Sequence, residues 1–136
     1  MSSVRSRSVW LASLIAIVCV VTAVGGGMAW SARRQAERVA RAMTGGDPAR
    51  AHDIMRRYGC GGCHTIPGLA GADGQVGPPL TGLVHRIYVG GVANNSPDNL
   101  IKWIVSPQTF TPRSAMPATG ITEAEARDVA AYLYAQ

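Results

Sequence analysis

Two cysteines three residues apart with a histidine directly behind them, Cys60-Gly-Gly-Cys63-His64, constrain this chain more than any other feature. Three chemistries use that spacing: a dithiol redox pair, half of a zinc site, or a covalent haem attachment point. Only one further cysteine, Cys19, is present, so the rest of the sequence has to choose among them.

The charge pattern narrows the setting. Up to Met43 there are six arginines (Arg5, Arg7, Arg33, Arg34, Arg38, Arg41) and one acid, Glu37, while the remainder of the chain is neutral. The formal charge of +5 therefore belongs to the N-terminal segment. Its arginines flank an apolar stretch, and aromatics are too few and scattered for a stacking surface, which excludes nucleic acid as a partner. That stretch, VWLASLIAIVCVVTAVGGGMAW from Val9 to Trp30, carries no charge. As a helix it measures about 33 Å, close to the ~30 Å of a hydrocarbon core. Trp10 and Trp30 suit the two headgroup layers. We read residues 1–8 as a cytoplasmic N-terminus and 9–30 as a transmembrane anchor, with a cleaved signal peptide as the alternative. Cys19 is expected as a buried, inert thiol. More arginines follow the span than precede it, which by the positive-inside rule opposes an exported C-terminal part.

Residues 31–46 read as a charged, helix-compatible stalk or linker that breaks at Thr44-Gly45-Gly46, and 47–136 as one domain. Asp47-Pro48 is an N-cap followed by proline at the first helical position, opening a helix to about Tyr58. Ala51, Ile54, Met55 and Tyr58 fall on its inner face. Ser96-Pro97 opens a second helix, which Pro107 ends. Thr122-Glu-Ala-Glu125 is a capping box for a last helix, Glu123 to about Ala135, with Ala126, Val129, Ala130 and Leu133 as its apolar stripe. The glycine- and proline-rich run from Thr65 to Leu83 is too long for a bare loop in a compact domain. A bound cofactor on which it packs explains it.

Zinc needs four ligands, and adjacent Cys63 and His64 can hardly both serve one tetrahedral ion alongside Cys60. A thioredoxin-like pair wants a strand before the motif, whereas a helix precedes it here. Haem attachment fits each part. Cys60 and Cys63 can add to the two vinyl groups of one porphyrin, and His64 is then held under the iron. Such attachment happens outside the cytoplasmic membrane, which overrides the arginine count and places the domain in the periplasm of a bacterial inner-membrane protein with a single span. For the sixth position Met116 stands out, in a proline-stiffened segment just before the final helix. Bis-histidine ligation by His85 and an open, gas-binding site are the alternatives.

These motifs together resemble the class I cytochrome c family, an all-α fold around one covalent haem. Residues 47–136 carry its helix, CGGCHTIPG, VGPPLTG, a middle helix with NLIKWIVSP, then AMP and a C-terminal helix. The stretch from Asn94 onward further resembles cytochrome c domains associated with bacterial respiratory oxidases, including those fused to oxidase subunit II. The resemblance implies thioethers at Cys60 and Cys63, with His64 and Met116 as axial iron ligands. It implies a Pro78 carbonyl that accepts the other N–H of His64, and Leu80 packed on the haem. Arg86 and Trp103 match positions that approach a haem propionate. The family's usual phenylalanine in the first helix is absent near Met55, which we expect to pack against the last helix near Tyr132. The neutral domain lacks the basic docking face of mitochondrial relatives.

The function expected is that of a membrane-anchored monohaem electron carrier, not an enzyme by itself. It passes single electrons in a periplasmic respiratory chain, to or within a terminal oxidase. Its expected partners are the membrane and a respiratory oxidase or quinol-oxidising complex. The alternative is a haem enzyme or gas sensor with a labile Met116.

Overall fold

The computed structural model describes the backbone from Ser2 to Gln136 and side chains from Trp10 onward. Of the N-terminal segment assigned to the cytoplasm, Met1 and the side chains before Trp10 lie outside the described residues. The chain divides into two compact units, Met1–Gln35 and Ala36–Gln136.

The first unit is a length of the helix α1, Ser2–Thr44. From Trp10 to Gln35 every residue is exposed. The window Trp10–Thr44 is long and apolar enough to cross a membrane, and none of its apolar window is buried by the chain. A core helix of a soluble domain would bury one face, so this length of α1 is a candidate transmembrane span. Cys19, expected as buried, is instead exposed on this helix because no part of the chain covers it. The three glycines Gly25 to Gly27 do not interrupt the helix. Arg34 lies over the Trp30 ring, 3.7 Å from its centroid, a cation–π pair that gives one of the arginines beyond the apolar run a local partner.

The second unit is helical. The last turns of α1 belong to it, with Ala40 and Thr44 buried. The predicted stalk over 31–46 is thus helical to Thr44, and its end is part of the domain surface packing. A 3₁₀ turn at Pro48–Arg50 leads into α2, Ala51–Arg57. Asp47 caps that entry by accepting from the Ala49 N–H at 2.9 Å and pairing with Arg41 at 2.6 Å. These two contacts hold its carboxyl below the usual range, the Ala49 N–H contributing most. Ser96 caps α3, Pro97–Val105, and the capping box of Thr122 and Glu125 opens α4, Glu123–Tyr134. Helix α4 is the hub: α2, α3 and the Pro48–Arg50 turn all pack on it. Ala51, Met55, Ala126 and Ala130 are essentially inaccessible, so small and flexible side chains let α2 and α4 approach closely.

The buried Asp128 carboxylate ties this hub to the domain's start. It accepts from the Asp47 N–H at 2.6 Å and from Arg50 Nε and Nη2 at 2.8 and 2.9 Å. Beside it Gly46 lies against the α4 backbone, where a Cβ would collide with the Arg127 carbonyl. Between α2 and α3 the chain forms a two-stranded antiparallel ribbon, β1 (Tyr88–Val89) with β2 (Ala93–Asn94). Asn95 fixes that region: its Nδ2 donates to the Leu83 and Arg86 carbonyls, and its Oδ1 accepts from the Tyr134 hydroxyl at 2.7 Å.

Candidate functional site

Helix α2 stops at Tyr58, and Gly59 turns the chain with a left-handed φ of 69° that a side chain would resist. The next turn is 3₁₀, Cys60–Gly62, closed by Cys63 N–H to Cys60 O at 3.2 Å and His64 N–H to Cys60 O at 3.0 Å. Cys60, Cys63 and His64 therefore come off a single helical turn. Both cysteines are half-buried. Burial pushes the Cys60 thiol up, the opposite of what a dithiol oxidoreductase needs in its attacking cysteine.

The loop after the motif folds back onto it. Gly74 N–H donates to Gly61 O at 3.1 Å, Gly77 N–H to Cys63 O at 2.8 Å, and Leu80 N–H to Thr65 O at 2.9 Å. This brings the Pro78 carbonyl to 2.7 Å from His64 Nδ1. A carbonyl only accepts, so Nδ1 carries a proton; in the neutral ring Nε2 then holds the lone pair, the tautomer a metal-binding imidazole needs. Gly77 sits directly against the ring: a Cβ there would lie 2.7 Å from Nδ1 and 2.9 Å from Nε2. The guanidinium of Arg86 donates to the Pro79 carbonyl and, at 3.3 Å, to Thr81 O. Its observed partners are thus carbonyls of the loop that carries Pro78. Leu80 is partly buried against the core.

A second group stands on α3 and the turn after it. Trp103 is half-buried, tilted against Phe110 with ring centroids 5.9 Å apart. It closes on Gly90, where a Cβ would come within 2.7 Å of its Cζ3. Met116 is half-buried in the irregular segment before α4. Its N–H donates to Ser114 Oγ at 3.2 Å and its carbonyl accepts from Gln108 Nε2 at 2.9 Å. The structure thus joins His64, Gly77, Pro78 and Arg86 through one loop, and Trp103 and Met116 through α3 and the segment that follows. His85, the alternative ligand, is exposed on the 3₁₀ turn Leu83–His85.

This donor set fits a haem c. Two cysteine side chains share a turn with an imidazole whose Nδ1 bonds a carbonyl, and a methionine stands on a separate loop held by a side-chain bond to its main chain. Sequence reasoning did not single out Gly77, Asn95 or Gln108. Gly77 had a signal, since it stands beside the proline whose carbonyl meets His64; Asn95 and Gln108 had none, because they act on main-chain carbonyls remote in sequence.

The model of the cytochrome c family matches residues 48–135. Over 85 residues the chain is 29% identical to cytochrome c oxidase subunit 2 of Alkalihalophilus pseudofirmus, a match covering 62% of this chain and 24% of that protein. The chain thus spans about a quarter of the length of this curated relative. No solved structure matches the chain significantly. With the family model covering the whole helical unit from the α2 entry through α4, the chain belongs to the cytochrome c family.

Proposed function

We propose that this protein is a membrane-anchored, monohaem c-type cytochrome that relays single electrons in a periplasmic respiratory chain, to or within a terminal oxidase. The observation that carries the reading is the bond between His64 Nδ1 and the Pro78 carbonyl, directly behind the Cys60–Cys63 pair. It gives His64 the orientation and tautomer of an axial ligand. Haem c supplies a one-electron iron couple when bound through thioethers at Cys60 and Cys63. His64 and Met116 would hold its iron, and Met116 would offer a soft, neutral sulfur that favours the reduced state.

The chain's own residues do the rest. Pro78 and Gly77 fix the His64 ring, Arg86 fixes the loop behind Pro78, Leu80 would pack on the haem, and Arg86 and Trp103 would approach a propionate. With His64 and Met116 both engaged, the iron would have no open position for a substrate, which suits a carrier. The exposed apolar length of α1 is the proposed anchor; it holds the domain near membrane-bound partners and raises their effective concentration. The similarity to an oxidase subunit supports an oxidase as the electron acceptor.

Gently solubilised membranes, resolved on a native gel and stained for covalent haem, test this reading. Haem stain in the membrane fraction that disappears in a Cys60→Ser/Cys63→Ser variant is expected. Haem stain confined to the soluble fraction would overturn the anchor.

A further inference from the structure

Between Ala115 and Ile121 no main-chain group bonds to another main-chain group; the preceding turn closes with Ser114 N–H to Thr111 O. The segment lacks helix and strand, and Pro117 removes one of its donors. A chain without a ladder is held only by what side chains reach it. At Met116 two do: Ser114 Oγ accepts its N–H at 3.2 Å, and Gln108 Nε2 donates to its carbonyl at 2.9 Å. Ser114 belongs to the same excursion and moves with it. Gln108 does not. It stands on the 3₁₀ turn Pro107–Thr109, whose Pro107 is fully buried and which packs on α3. The Gln108–Met116 bond is thus the one of the two that ties the Met116 main chain to the packed helical body.

From this we propose that Gln108 is the positioning residue of the distal side: its carboxamide holds the Met116 carbonyl, and so holds the thioether in place against competing ligands. The proposal rests on the reading of Met116 as an axial ligand. Gln108 touches neither iron nor porphyrin in this scheme. It acts through the loop, so that losing its donor leaves the ligand set intact but makes Met116 easier to displace. A neutral hydrogen bond of this kind is worth about a three- to ten-fold change in an equilibrium.

The test uses the full-length holoprotein, oxidised, with imidazole as the competing ligand. Displacement of Met116 is followed by loss of the weak charge-transfer band between thioether and ferric iron. Met116→Leu comes first. If that variant keeps the band, Met116 is not the ligand, and both that reading and this inference fall. If the band is lost, Gln108→Ala and Gln108→Glu are compared with the parent protein. Both variants are expected to keep the band and to bind imidazole about three- to ten-fold more tightly. Gln108→Glu preserves shape but its ionised carboxylate cannot donate to the Met116 carbonyl, so near neutrality it should behave as Gln108→Ala does. Val129→Ala, a core truncation in α4, controls for general destabilisation and should lower the melting temperature without changing imidazole affinity. Parent-like affinity in both Gln108 variants would overturn the proposal, as would an equal gain in Val129→Ala.

Discussion

Gly77 lies so close to His64 that a single added methyl would sit 2.7 Å from Nδ1 and 2.9 Å from Nε2 of the ring. The same ring donates from Nδ1 to the neighbouring Pro78 carbonyl at 2.7 Å. Steric contact and hydrogen bond act together, one limiting where the imidazole can lie and the other which nitrogen carries the proton.

Gly77→Ala is therefore expected to push the ring off Pro78. The backbone at Gly77 has no left-handed φ, so the effect is steric and confined to the ligand side. Overpacking of this size costs about 1–3 kcal/mol. Absorption and magnetic circular dichroism of the purified holoprotein should report a weakened or exchanged proximal ligand. A spectrum identical to the parent's would show that the loop relaxes instead.

Asp128 joins Asp47 and Arg50 to α4 with three bonds to one buried carboxylate. Asp128→Ala strands the Asp47 N–H and removes charge-assisted bonds, a loss of about 2–4 kcal/mol. For a domain of this size that lowers the melting temperature by about 10 °C or more. Calorimetry checks it, and the haem spectrum should stay unchanged because the cluster lies at the helix junction and not on the ligand loops.

Burial pushes the Tyr134 phenol up to about 12 from an ordinary 10.0. A group whose native pKa is raised stabilises the fold fully below the unfolded value and loses that contribution as pH rises through the native one. Stability should accordingly fall from pH 10 upward to about 12. Tyr134→Phe removes this slope and also the bond to Asn95 Oδ1, so it should be less stable near neutrality but flatter at high pH. Denaturant melts across the alkaline range measure both effects.

Glu125 shows the opposite linkage. The Thr122 hydroxyl, then the Thr122 N–H and the Tyr58 hydroxyl, hold its carboxyl below the ordinary 4.5. Its contribution is present above that value and is lost as pH falls through the lowered native one. Glu125→Gln should blunt the acid limb of the stability curve; acid melts of the two proteins compare them.

Much of the helical frame was legible because its signals are local. Asp47-Pro48, Ser96-Pro97 and the Thr122–Glu125 box mark helix starts by side-chain bonds to nearby N–H groups; the 3₁₀ turn that leads into α2, and the helices α3 and α4, begin where those marks stand. The ribbon of β1 and β2 was not legible: two residues per strand are too few to show an alternating pattern. Neither was the role of the last turns of α1. Polar residues around Ala40 and Thr44 read as a solvated stalk, whereas both residues are buried and Thr44 O accepts from Arg127 Nη1 of the distant α4 at 3.0 Å. At the site, the His64 motif could be read from spacing alone. Arg86 and Gln108 bond main-chain carbonyls seven and eight residues away, contacts that no spacing rule encodes.

The central claim is that Cys60 and Cys63 carry one haem covalently, with His64 beneath it. Its most direct test is the mass of the tryptic peptide spanning residues 58–86 from membranes of the natural host. The account predicts a peptide heavier by one haem, with no thiol open to alkylation at either cysteine. A peptide of unmodified mass with two alkylated thiols, or one with an internal disulfide, would contradict it.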